Sequence, residues 1–416
     1  MSDSAQGAED AARGTEDGGK VRGRMKARGA ARQTEGGGRA SDGVKARLGA
    51  RAAVHRGGGF RRGRDSGGRP GNRISAGRGL VIAGMLVLLL ALVVLAATWG
   101  AVAIPVGVVV RILASTLTHR MPEGIDPAWV VIVLDLRLPR VVLGLIVGAV
   151  LAITGAAYQA LFRNPLADPY LIGVSSGASF GATLAILFFG GLSWGAIGPV
   201  PLMAFAFALI TTFLAYGFSR VGGQASVTLL VLAGVGLGSL FSAATTLLML
   251  SAPSAYRAIE VFGWLLGSLA TASWAQVLAV LPFTVVGVAV IGVSAFRLDL
   301  LQLGEDQAAV LGVQVERVRL VLVFAASLAA AAVVSVSGII GFVGLVVPHI
   351  VRLIWGPAHR FLLPAAAIVG AMLLILADGL ARTLVAPREI PLGVVTACLG
   401  VPFFLYLLRR RRQRIV

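Results

Sequence analysis

From residue 80 onward the chain returns repeatedly to apolar runs that reach or approach the twenty or so residues a helix needs to cross a bilayer. Ten such runs lie near residues 80–103, 138–162, 170–189, 197–218, 228–250, 274–296, 320–336, 339–355, 361–380 and 391–408. An amphipathic stretch, 105–120, follows the first, and 251–273, containing "GWLLGSL", is too broken to count as a span. The expectation is an all-α, polytopic bundle of about ten transmembrane helices. An even number of spans returns both termini to one side. The basic N-terminal tail and the C-terminal "RRRRQR" put that side in the cytoplasm, in a multi-pass inner-membrane protein.

Composition divides the chain near residue 79. Residues 1–79 hold 18 Lys+Arg against 8 Asp+Glu among Gly, Ala and Ser, and cannot bury enough apolar surface to offset the entropy of ordering them. They read as a disordered cytoplasmic tail, with residues 80–416 as the membrane domain. The Arg/Gly stretch "HRGGGFRRGRDSGGRPGNR" has the charge to hold RNA, but a basic flank beside a first span, drawn to anionic lipid, is the stronger reading. The tail lacks the pattern of a secretory signal. The single cysteine, Cys398, lies in an apolar run and offers no disulfide framework.

Within the membrane domain, small residues such as Gly144, Gly148 and Gly155 predict closely packed helices. Three arginines stand out against the positive-inside tendency: Arg137 and Arg140 in "DLRLPRVVLG", and Arg382 in "ADGLARTLVAPREIPLG", all on the outer side by the span count. Local pairing explains them in one way, since Asp378 and Arg382 are spaced i,i+4, and headgroup snorkelling in another. On the inner side, "LFRNPLADPYLIGVSSG" has two prolines within five residues, then a Gly/Ser run that lets a helix start with exposed backbone groups; a plain short turn is the alternative. The connection 219–230 is polar and flexible in composition. In 296–320 an acidic first turn, Glu305, Asp306 and Gln307, leads a short helix that continues from Ala308 to Leu311 and stops at Gly312. It reads as a helix lying across the membrane face, suited to a partner's groove, or as a solvated linker.

Catalysis is tested by subtraction. Every lysine (Lys20, Lys26, Lys45) lies in the tail, so the chain has no Gly-rich phosphate loop of the usual ATPase type. The four histidines, His55, His119, His349 and His359, form no metal-ligating pattern. Nearly all acidic residues fall in connections or at helix ends, which disfavours an ion-coupled secondary transporter. An integral-membrane enzyme is a further competing class.

Five segments, "RLPRVVLGLIVGAVLAITGAAYQALFRNPLADPYLIGVSSGA", "LLVLAGVGLGSL", "LGEDQAAVLGV", "SGIIGFVGLVVPHIVRL" and "LADGLAR…EIPLGVVTACLGVPFF", occur in an order that resembles the permease subunit of the iron-siderophore and vitamin B12 family of ABC importers over roughly residues 80–410. The basic tail lies outside that pattern. The resemblance implies a type II importer permease: a ten-helix subunit that pairs with a second permease subunit, identical or not, two cytoplasmic ATPase subunits and an extracytoplasmic substrate-binding protein. It implies no cofactor on this chain, with ATP used by the partner ATPases. Carried onto this sequence, it implies that Arg137, Arg140 and Arg382 receive carboxylates of the binding protein. Asn164 and Leu166, with Ser226, Val227 and Thr228, would sit at the cytoplasmic gate. Leu303, Gly304, Glu305, Asp306, Gln307, Ala308, Leu311 and Gly312 would form the coupling helix on the ATPase. Pro348, His349 and Arg352 are expected to pack or end a helix. The implied cargo is a metal chelate, a ferric siderophore first, with haem or cobalamin as the alternative.

Overall fold

Two kinds of sequence signal decide where helices begin and end here: apolar length, which sets the spans, and glycine or proline, which interrupts them. The computed structural model describes residues 70–412 except 101, 119–123, 190–196 and 223, all within one compact unit, Arg69–Val416. The tail reading for residues 1–79 lies outside the described residues up to residue 69.

The elements are helix α1 (Pro70–Thr98), α2 (Val106–Thr118) and α3 (Pro127–Val131), which runs through a π-helical turn, Ile132–Arg137, into α4 (Leu138–Leu161). Then come α5 (Val174–Phe189), α6 (Pro199–Phe218), strands β1 (Arg220–Val221) and β2 (Gln224–Ala225), α7 (Val227–Leu250) and α8 (Ala255–Leu265). The chain continues with α9 (Trp274–Val293), α10 (Ala295–Leu301), α11 (Glu305–Val310), α12 (Val315–Ser337), α13 (Val343–Trp355), α14 (His359–Thr383) and α15 (Leu392–Arg412). Each of the ten expected spans corresponds to a helix. Among the described residues, seven helical stretches are long and apolar enough to cross a bilayer alone, whereas α5, α13 and the apolar part of α15 are shorter. α13, with 13 residues, extends about 20 Å, short of a hydrocarbon core of about 30 Å.

Three expectations change in detail. The first span ends at Thr98 rather than near residue 103, with Gly100 at φ +152°. The connection 219–230 contains an antiparallel hairpin, Arg220 opposite Ala225 and Val221 opposite Gln224, where the Gly-Gly pair and Gly222 at φ +61° permit a two-residue turn. The all-α bundle therefore carries one small β element. Finally, 251–273 contains a regular amphipathic helix, α8, whose first turn is capped by the Ser254 hydroxyl accepting from Arg257 N at 3.4 Å.

The core forms around α4, α12 and α14, the most buried helices of the bundle. Glycines set the separations. A Cβ on Gly148 would overlap the Gly370 carbonyl of α14, and one on Gly155 would overlap the Gly344 carbonyl of α13. In lipid, where no hydrophobic force joins helices, this backbone approach supplies the packing energy. Tyr158 is fully buried between α4 and α12, with its hydroxyl 2.7 Å from Ser327 Oγ. Helix α7 is the opposite case: it buries little beyond Leu230, Gly234 and Thr245 and presents most of its length outward.

Candidate functional site

The three arginines expected on the outer side are drawn into the fold. Arg137 and Arg382 are only 6% and 7% exposed, which corrects the picture of three cations standing in solvent. Both are spent on the C-terminal end of α1. Arg137 Nη1 donates to the carbonyls of Ala97 at 2.8 Å and Thr98 at 2.9 Å, and Nη2 donates to Val102 O. Arg382 Nη1 donates to Trp99 O at 3.0 Å. A helix end leaves its last carbonyls without partners and carries partial negative charge, so two guanidinium groups there satisfy both the acceptors and the dipole. Trp99 in turn lies over Gly379, where any Cβ would overlap its ring.

Arg140 is half-buried and held by two carboxylates. It meets Asp378 with Nε–Oδ1 at 3.0 Å and Nη2–Oδ1 at 2.8 Å, and Glu389 with Nη1–Oε1 and Nη2–Oε2 both at 2.9 Å. Asp378 also pairs with Arg382 at 3.0 Å, the i,i+4 pairing that the sequence allowed. The Glu389 carboxyl, in the loop after α14, is held below the ordinary carboxylate range because Arg140 donates to it. Glu389 was not singled out from sequence; the only signal was an acid near arginines in a short outer connection.

The plain-turn reading of 161–177 is replaced by a packed segment that folds back along α4. Arg163 takes φ +48°, the Asn164 side chain accepts from Leu166 N at 3.0 Å, and Asp168 accepts from Tyr170 N at 2.9 Å. Gly173 at φ +88° then admits α5. The segment meets a second break, between α12 and α13. Tyr170 Oη donates to Ile340 O at 3.0 Å, and the Pro169 ring packs where a Cβ of Gly344 would stand. Phe342 sits at φ +68°, a conformation that costs a non-glycine residue of order 1 kcal/mol or more. Irregular backbone at this depth is tolerated only against protein or a water-filled path, and these two breaks cover one another. Sequence reading found the first break and missed its partner, although "SGIIGFVG" carries the same glycine signal.

Of the gate candidates, Asn164 and Thr228 are exposed, and Leu166, Ser226 and Val227 are half-buried. Ser226 is the N-cap of α7, accepting from Leu229 N at 3.5 Å. The helix that starts at Ser226 packs against the segment that follows Asn164 and Leu166: a Cβ on Gly234 would meet Ile172 Cα at 2.6 Å. Further along α7 a cavity of about 660 Å³ is lined by Ser179, Ser242, Thr245, Thr246, Met249 and Phe262 among others, none of them charged. The Thr245 and Thr246 hydroxyls donate to their own helix, to Phe241 O at 2.7 Å and Ser242 O at 3.0 Å, so they sit in an apolar wall without a desolvation penalty.

The short helix after Gly304 forms as its sequence predicts. α11 is bounded by Gly304 at φ +121° and Gly312 at φ +86°, with Glu305 and Asp306 in its first turn. Ala308 is fully buried, while Leu303, Val310 and Leu311 are 55%, 87% and 58% exposed. Asp306, Gln307 and Gly312 are exposed, and Glu305 reaches across to Arg319 of α12 at 2.6 Å.

Matched against known families, residues 87–410 fit the profile of the FecCD transport family. The chain belongs to the FecCD transport family. It is 45% identical over 303 residues to a cobalamin import system permease of Halobacterium salinarum, covering 72% of this chain and 80% of that one. A hemin transport system permease of Yersinia pestis is 40% identical, covering 80% of this chain and 97% of its own length. Among solved structures, an inward-facing metal-chelate type ABC transporter superposes with a TM-score of 0.70 at 33% identity, covering 80% of this chain and 99% of the other. The FecCD chain described here is therefore a multi-pass ABC importer permease with the type II fold.

Proposed function

We propose that this chain moves a chelated metal, a ferric siderophore in the first reading, into the cytoplasm by alternating access. It does so as one of two membrane subunits served by two cytoplasmic ATPases and an outer binding protein. Both termini face the cytoplasm in this reading. The observation that carries it is α11. A six-residue helix outside the spans exposes Val310 and Leu311 beside an acidic turn, and such an apolar patch on a soluble face calls for a protein partner. A P-loop ATPase supplies the nucleotide chemistry that this chain, with no lysine beyond residue 45, lacks. The uncharged cavity beside α7 suits a bulky cargo whose metal charge is already neutralised by its own ligands, and its volume falls in the range of small-molecule sites. A second reading, cobalamin or haem, is favoured by the cobalamin and hemin permeases that are 45% and 40% identical to this chain.

The test is purification of the chain with its native partners, followed by mass spectrometry of what the binding protein holds and ATP-dependent uptake of that compound in liposomes. An iron-bound siderophore confirms the first reading and a tetrapyrrole the second. Uptake driven by an ion gradient with no ATPase present would refute both.

A further inference from the structure

Beneath α11 lies a side-chain cluster that the family resemblance does not assign. Arg319, in the first turns of α12, is 5% exposed and faces three ways. Its Nη2 pairs with Glu305 Oε1 of α11 at 2.6 Å, its Nη1 pairs with Glu316 Oε2 at 3.2 Å, and Nη1 also donates to Ala225 O in β2. Glu316 closes the ring: its Oε1 accepts from Ala225 N and from Tyr216 Oη of α6, each at 3.0 Å. Both backbone groups of Ala225 are thus held by the opening turns of α12. Ala225 is the residue before Ser226, the N-cap from which α7 and the gate positions start.

We infer that Arg319 is a positioning residue that transmits displacement of α11 to the 220–225 hairpin and so to the inner end of α7. The inference rests on the reading of α11 as the ATPase-docking helix. A guanidinium this buried is retained at a desolvation cost that apolar packing would avoid, so its worth lies in fixing an arrangement. The planar fork suits the task, because it holds the Glu305 carboxylate, the Glu316 carboxylate and a carbonyl in fixed directions. α11 is bounded by left-handed glycines at 304 and 312, so it can shift as a unit, with the Glu305–Arg319 pair as a lateral tie. A load on α11 then pulls on the same group that holds Ala225.

The experiment uses the full chain copurified with its ATPases, with Cys398→Ser and Thr228→Cys as a single reporter thiol, in nanodiscs. Maleimide labelling is timed with and without ATP plus vanadate. In this background nucleotide should change the labelling rate by about fivefold or more, the usual lower bound for coupled sites. Arg319→Met, a change outside α11, should abolish most of that difference while the ATPases still copurify and hydrolyse ATP; Glu305→Gln, on α11 itself, should reduce the difference when labelling is compared at equal amounts of bound ATPase. The double variant should be no worse than Arg319→Met alone, because both changes cut one tie. A full nucleotide response in both single variants would overturn the inference and leave the docking role of α11 standing. A background complex in which the ATPases bind yet nucleotide leaves the thiol unchanged would overturn the inference alone, and one in which no ATPase binds would sink the docking role and the inference with it.

Discussion

Replacing Asp378 by alanine tests whether the outer charges hold the fold. Asp378 is 4% exposed at its side chain and is shared by Arg140 and Arg382, themselves 11% and 6% exposed. Removing one member of a buried pair costs about 3–5 kcal/mol, because the remaining charge is left without its counterion. Arg140 keeps Glu389, so its share of that loss is small. For hydrogen bonds Arg382 keeps only backbone carbonyls, Trp99 O at 3.0 Å, Asp378 O at 3.4 Å and Ala96 O at 3.5 Å, and takes most of it. The lower end of the range, about 3 kcal/mol, is the better figure. Glu389→Ala is the internal control: Glu389 is 39% exposed, Arg140 retains Asp378, and pairs this accessible contribute about 1 kcal/mol or less. Because unfolding in detergent is irreversible, the assay is the half-life of folded protein at a fixed elevated temperature. If the network forms after the unfolding barrier, Asp378→Ala should shorten that half-life by roughly a hundredfold, and Glu389→Ala by no more than about fivefold. Asp378→Asn should fall between them. Equal half-lives for the two alanine variants would refute the argument, since it depends on burial ranking the two carboxylates.

Three further outcomes follow from the same geometry. Gly155→Leu should prevent α13 from approaching α4 and cost about 3 kcal/mol or more, read as loss of the folded monomer peak in size-exclusion chromatography, whereas Gly107→Leu, with open space around it, should be silent. Ala308→Pro should break α11, since it removes the Ala308 N to Gly304 O bond of 2.9 Å at a local cost of about 3 kcal/mol, and uptake should fall while ATP hydrolysis continues; normal uptake would remove α11 from coupling. Glu389 sets a pH dependence: the Arg140 guanidinium holds its folded pKa below the ordinary carboxylate value of 4.5, so its stabilisation is present above 4.5 and is lost as pH falls through the lower folded value. Glu389→Gln should therefore flatten the acid limb of the stability profile, and an unchanged limb would assign it to other groups.

What the sequence made legible is whatever lipid enforces locally. Apolar length placed all ten spans, and proline and glycine placed the break after Leu161 and the stop at Gly312. The pairings that build the site were not legible, because they join residues far apart in the chain: Arg140 to Glu389, Tyr170 to Ile340, Arg319 to Ala225. A periodicity within one helix carries no record of which carbonyl a distant arginine will reach. Exposure was misjudged for a related reason. An arginine at the outer end of a span reads as a surface charge unless the neighbouring helix end that needs capping is known, and here that end belongs to α1, about 40 residues earlier.

That burial also narrows which outer arginine can serve a docking partner. Arg137 and Arg382 cannot turn outward without uncapping α1, whereas Arg140 already spends one edge of its fork on Glu389, a carboxylate at the surface. Exchanging Glu389 for a partner's carboxylate replaces one half-exposed ion pair by another, so the exchange is nearly neutral and the contacts around it decide the outcome. Were Arg140 to receive a partner's carboxylate, Glu389 would compete with that partner for the guanidinium. Glu389→Gln should weaken that competition and add one unit of positive charge to the outer face, raising the association rate with a carboxylate-bearing partner, most clearly at low salt where the Debye length is about 30 Å at 0.01 M. Arg140→Gln should lower it, and the double variant should resemble Arg140→Gln. Surface plasmon resonance on the reconstituted complex across a salt series measures all three. Slower association for Glu389→Gln, or a rate unaffected by Arg140→Gln, would take these residues out of docking and leave the cluster to the single task of holding α1 against α14.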